Sequence, residues 1–217
     1  MDATLARKTL ISIAKRRQKP GAGSTREFLL ARTTDMVWPD LSEVFGDLPW
    51  AVVGAVATRL YMPERMTRDL DVAVAASDAA VAGEKLRAAG WVRESALTIG
   101  GAKWRSPDGD EVDVLEGRAP WWPAALREAQ TNRDAQGLPI LPLPYLVLMK
   151  FQAGRTIDIG DITRILGQAS DEQLKETRRL FQQFEPEGLE DLESLIVLGR
   201  LELESASSLC DPTAGRL

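Results

Sequence analysis

Residues Trp50 to Val74 read WAVVGAVATRLYMPERMTRDLDVAV. A short apolar run, Trp50 to Val53, has the look of a buried strand and ends at Gly54-Ala55. A helix-like segment from Ala55 to Tyr61 follows, and Pro63 stops it in a charged loop, Met62 to Arg68. A second β-rich run then opens with Asp69-Leu70-Asp71. Side chains alternate along a strand, so Asp69 and Asp71 project together while Leu70, Val72 and Val74 face a core. Two carboxylates about 5 Å apart repel by roughly 3 kcal/mol at an effective dielectric near 20. That repulsion calls for a cation between them, and a divalent metal with oxygen ligands is the simplest one. The small residues Gly54 and Ala55 at a helix start let an anion approach amide donors, which suits a phosphate tail and equally an ordinary tight turn. Arg59 lies one helical turn on, either facing the same anion or simply exposed.

Downstream, Ser77 is an N-cap candidate for a helix through Ala89, stopped by Gly90. Trp91 to Ile99 and Lys103 to Arg105 flank Gly100-Gly101 as a hairpin, and Ser106 to Asp110 is a turn. The strand Glu111 to Leu115 alternates strictly, with Val112 and Val114 inward. Glu111 and Asp113 then point the other way, where Asp113 can join the first two acids.

Composition narrows the chemistry. The 217 residues are 44% hydrophobic and 27% charged, as in ordinary globular proteins, and the net charge of -5 argues against coating nucleic acid. With no histidine, serine-histidine and cysteine-histidine catalysis and histidine-rich zinc sites are excluded, so a metal here relies on carboxylates. A single cysteine, Cys210, excludes an internal disulfide framework and fits a reducing cytoplasm. No apolar run reaches the ~20 residues of a membrane span, so neither insertion nor export is expected.

Ala3 to Lys19 reads as a basic amphipathic helix that meets a nucleic acid, a partner protein or only its own fold. Pro20 to Ser24 reads as a linker, and Thr25 to Phe45 holds a second helix interrupted by Pro39 and stopped by Gly46. Arg118 to Pro144, rich in proline around Trp121-Trp122, reads as a connector. Tyr145 to Ala153 is an apolar helix whose one full charge is Lys150, which snorkels to the surface, meets a nucleotide phosphate or meets Asp158. Asp158 and Asp161 fall early in a helix from Ile157 to Leu166, where acids suit the helix dipole without any ligand. Ser170 and Gln173 form a capping box for the next helix. A last helix spans Leu189 to Leu203, with a flexible tail from Ser205.

The strand ending in Gly54-Ala55, then Thr67-Arg68-Asp69-Leu70-Asp71, then Asp113 on a later strand, resembles the nucleotidyltransferase superfamily of the DNA polymerase β type fold. The run Leu148-Met149-Lys150-Phe151-Gln152-Ala153-Gly154-Arg155, followed by Asp158 and Asp161, looks most like the AbiEii-like toxins of bacterial toxin-antitoxin systems. Relatives carry Gly-Gly or Gly-Ser where this chain has Gly54-Ala55; alanine keeps the close approach and loses a hydroxyl. The resemblance implies an α+β chain, with a small mixed β-sheet flanked by helices and a C-terminal helical lobe. It divides the chain into a basic helix and linker at 1–24, a nucleotidyltransferase core at 25–117, a connector and helical lobe at 118–204, and a tail at 205–217.

It further implies that Asp69, Asp71 and Asp113 hold a two-metal magnesium (Mg2+) site. An acceptor hydroxyl would there attack the α-phosphorus of a nucleoside triphosphate in line and expel pyrophosphate. Gly54, Ala55, Arg59 and Lys150 are the candidates for the phosphates. The expected partners are the triphosphate, a tRNA 3' end or a protein as acceptor, and a cognate antitoxin. A small-molecule acceptor, as in aminoglycoside nucleotidyltransferases, is an alternative. So is a catalytically weak binding module that senses nucleotide or serves as an antitoxin partner.

Overall fold

In the computed structural model the described residues are 3–17, 37–62 and 69–208, with side chains as far as 203. The expected linker at Pro20 to Ser24, most of the helix expected between Thr25 and Phe45, Thr67, Arg68 and the end of the tail lie outside them. The chain forms two compact units. One is built on Thr33–Leu60 and Glu64–Pro142, the other on Met1–Arg32, Tyr61–Pro63 and Leu143–Leu217.

The first unit is a five-stranded mixed sheet: β1 Trp50–Val52, β2 Leu70–Ala75, β3 Val92–Ala96, β4 Gly101–Arg105 and β5 Glu111–Gly117. Their order is β1-β2-β5-β4-β3. Only β2 and β5 run parallel; the other pairs are antiparallel. The chain is α+β, as expected. Leu70, Val72, Val74 and Val112 are fully buried, so the alternation read in the sequence is the alternation of faces. The helix Ala79–Ala88 lies over the face carrying Val74, Ala102, Trp104 and Val114, with the Arg87 guanidinium 5.7 Å from the centroid of the Trp104 ring. Ser77 does not cap it; a 3-10 turn, Ala76–Asp78, comes first.

Two readings change. The segment after Gly54 is a 3-10 helix of five residues, Val56–Leu60, rather than an α-helix from Ala55. The Thr58 hydroxyl donates to the Ala55 carbonyl at 2.6 Å, and the Thr58 amide donates to the same oxygen, which tightens the turn. The proline-rich segment expected to be a connector belongs to the sheet unit as far as Pro142. Its helix Trp122–Ala129 packs on β1 and β2, and Ile140 pairs beside Val52. The signal was the buried set Trp121, Trp122, Leu126, Leu138 and Ile140, which outweighs the prolines. A Cβ on Gly117 would run into the Trp122 indole, so the bare backbone there seats the ring on the sheet.

The second unit is helical. We number its helices α1 Ala3–Arg17, α2 Leu143–Ala153, α3 Thr156–Gln168, α4 Asp171–Phe184 and α5 Leu189–Ser208. The last extends past the expected Leu203 and into the segment read as a tail from Ser205. Ser170 and Gln173 form the reciprocal capping box of α4. Phe151 and Phe181 meet edge to face at 4.9 Å within a core of Leu146, Ile162, Ile165 and Leu195. The basic α1 packs on its own fold: Arg7 donates to Asp191 at 3.0 Å and lies 4.0 Å above the Phe151 ring. Helices α3 and α5 cross where a Cβ on Gly167 would meet Gly199 backbone, and one on Gly199 would meet the backbone of Thr163 and Gly167. Among the described residues no helix is long and apolar enough to cross a membrane.

Candidate active site

The sheet register decides which acids meet. Asp71 on β2 is the direct partner of Asp113 on β5, and Asp113 is in turn the partner of Lys103 on β4. Cross-strand partners share a face, so Asp71, Asp113 and Lys103 form a row across three strands. Asp113 is therefore on the same side as Asp71, as the alternation required. Asp69 stands exposed just before β2, near enough for its charge to act on both Asp113 and Lys103. The helix Trp122–Ala129 covers the far end of this face, over Gly117. Asp71 and Asp113, near the starts of their strands, stay partly exposed.

Gly54 fits this row closely. It is buried in the left-handed region at φ +66, and a Cβ there would collide with the Asp71 carboxylate. The glycine thus clears the space that the carboxylate fills. Ala55, 6% exposed, continues the turn. Arg59 turns to a different partner: its guanidinium pairs with Asp134, whose Oδ1 also accepts from the amides of Gln136 and Leu138. That bond ties the 3-10 helix to the loop after Ala129. Lys150, in the helical unit, has no exposed surface and donates to Asp158 at 3.1 Å and Asp161 at 2.8 Å. Of the options read from sequence, its ammonium takes the carboxylates.

Asp113 Oδ1 is buried and accepts no hydrogen bond from the described residues. Burial pushes the Asp113 carboxyl above the usual carboxylate range; Lys103 opposes the shift, and Asp69 and Glu111 add to it. A carboxyl raised on folding binds protons more readily in the folded chain, so it lowers stability as pH rises through that window. Asp113→Asn is expected to raise the melting temperature at pH 7, with the gain vanishing at pH below the unfolded carboxylate pKa. Melting curves from pH 3 to 8 check this.

Lys103 escaped the sequence reading. Its ammonium lies 3.2 Å from Glu111 and 3.9 Å from Asp113 Oδ1. The Glu111 hydrogen bond, backed by the charges of Asp113, Glu111 and Asp69, raises the lysine above its ordinary range. The same bond is the main cause that lowers Glu111. Counting across the turn at Ser106 to Asp110 would have found it: Arg105 faces Glu111, so Lys103 faces Asp113.

The donors here are all carboxylate oxygens, one of them buried without a hydrogen bond, and such a set suits magnesium. Among the described residues, however, no three acidic side chains are drawn together as a metal-holding group. Among the described residues the row is two facing acids, a third at its edge and an ammonium.

No family model matches the chain, and no curated protein matches it. Among solved structures it is similar to the solution structure of the antibiotic-resistance factor ANT(2'')-Ia, at 15% identity and a TM-score of 0.40, over 75% of this chain and 86% of that one. ANT(2'')-Ia in complex with adenylyl-2''-tobramycin matches at 14% identity and a TM-score of 0.36, over 71% and 88%. Terminal uridylyl transferase 4 from Trypanosoma brucei with bound UTP matches at 12% identity and a TM-score of 0.27, over 96% and 73%. These are loose likenesses.

Proposed function

We propose that the protein is a metal-dependent nucleotidyltransferase that moves a nucleoside monophosphate from a nucleoside triphosphate to a hydroxyl acceptor. The observation that carries this reading is the pairing of Asp71 with Asp113 on parallel strands, beside a glycine turn, with Asp113 Oδ1 buried and without a hydrogen bond. Asp69, Asp71 and Asp113 would hold magnesium, which when bound stabilises the attacking and leaving oxygens of an in-line displacement. Asp113, as the carboxylate nearest the attacking hydroxyl, would also be the nearest base for the acceptor's proton. Gly54 keeps Asp71 in the row, and Lys103 balances part of its negative charge.

The acceptor in this proposal is a tRNA 3' end or a protein hydroxyl, and the setting is that of an AbiEii-like toxin with a cognate antitoxin. A small-molecule acceptor is the variant of the same chemistry. A second reading, a nucleotide-binding module with weak catalysis, draws support from the Lys103–Asp113 pair and from the lack of a three-acid group among the described residues.

The test is incubation with each α-labelled nucleoside triphosphate and magnesium, together with total tRNA, cell protein or an aminoglycoside. Label is expected to pass to one of these acceptors, and transfer is expected to fall at least about a hundredfold in Asp71→Asn. Nucleotide binding without transfer to any acceptor would favour the module.

A further inference from the structure

We propose that Lys103 is a resident counter-ion of the acidic row, drawn aside by Glu111, and that it sets how tightly the row takes a divalent cation. This rests on the reading of Asp69, Asp71 and Asp113 as metal ligands. Lys103 stands opposite Asp113 in the β4–β5 ladder, so its stem runs across the same face as the acids. The ammonium is within hydrogen-bond reach of Glu111 at 3.2 Å but not of Asp113 Oδ1, which lies 3.9 Å away. Glu111 is fixed from the other side as well, accepting from Arg105 at 2.7 Å, while Arg105 also pairs with Glu94 at 2.5 Å. Glu111 thus sits between two cations and gives the lysine an alternative partner at the half-exposed edge of the row.

Two effects of the same sign follow. The ammonium offsets the negative charge that attracts a metal ion, and it can swing on its flexible stem toward the carboxylate oxygen that the ion needs. The lysine side chain is 27% exposed, so the path outward is open when an ion displaces it. Lys103 then becomes a cation at the rim of the site, of the compact kind that meets phosphate as a point charge.

The experiment is titration of the full chain with Mn2+, followed by electron paramagnetic resonance, which needs no nucleotide and no turnover. Lys103→Met is expected to bind Mn2+ about tenfold more tightly than wild type, because a unit charge about 4 Å from a ligand is lost at a partly exposed site. Lys103→Gln should share the gain and carries the test if the methionine variant does not fold. Lys103→Arg should stay near the wild-type value. Arg105→Gln removes a cation paired with Glu94 and Glu111 rather than with Asp113, and should shift affinity less than about twofold. Equal affinity in wild type, Lys103→Met and Lys103→Gln would overturn the counter-ion role and leave the metal reading standing. Failure of all of them to bind Mn2+ would overturn both.

Discussion

Lys150→Met is expected to lower the free energy of unfolding by about 3–5 kcal/mol, the usual effect of removing one partner from a buried ion pair. The ammonium has no exposed surface, and Asp158 and Asp161, exposed by 1% and 2%, both accept from it. Arg155 donates to Asp158 at 2.7 Å, so among the described residues two cations balance two carboxylates in these bonds. Methionine fills the volume and leaves the Lys150 share of that balance missing, and Arg155 is held near Asp158. Urea unfolding reads the loss as a shift of midpoint at constant slope. Adding Asp161→Leu should recover part of it, because an apolar pair of similar volume no longer leaves that charge buried. A change below about 1 kcal/mol in the single variant would show that the cluster adds little beyond its packing.

Gly54→Ala is expected both to destabilise the sheet unit and to disturb its acidic row. A non-glycine residue at φ +66 costs about 1–3 kcal/mol in backbone strain. The new methyl group also strikes the Asp71 carboxylate, and either the turn or the acid must move. A double-mutant cycle separates the carboxylate collision from the rest: in an Asp71→Ala background only the backbone strain and a tight 3.0 Å contact with the retained Cβ should remain, so the penalty should fall. Equal penalties in both backgrounds would mean that Asp71 yields without cost. On the proposed function, Gly54→Ala also lowers nucleotidyl transfer, since either the turn or Asp71 is displaced.

Strand alternation carried most of what was legible. Leu70, Val72 and Val112 are buried, and Asp71 and Asp113 share a face, because a period of two fixes sidedness from sequence alone. Register is a different matter. Only the turn at Ser106 to Asp110 aligns Lys103 with Asp113, and reading it means counting across two strands. Long-range pairing of charged groups was least legible. Arg59 and Asp134 are 75 positions apart, and no local pattern marks them as partners. Lys150 was closer to hand: its carboxylates lie eight and eleven residues on, within one helical hairpin, and Asp158 was among the partners weighed. The proline-rich stretch misled because proline marks a turn without saying whether the residues between turns are buried.

The central strand of the sheet is the last to be synthesised. β1 and β2 form one ladder and β3 and β4 another, and β5 enters between β2 and β4. Without β5, the edges of β2 and β4 that it pairs would both lie open, and Asp113 would be missing from between them. This one seven-residue strand pairs with both edges and supplies the acid that faces Asp71. On the proposed function, a fragment ending before Glu111 would transfer no nucleotide, because closing the sheet and completing the acidic row depend on the same strand.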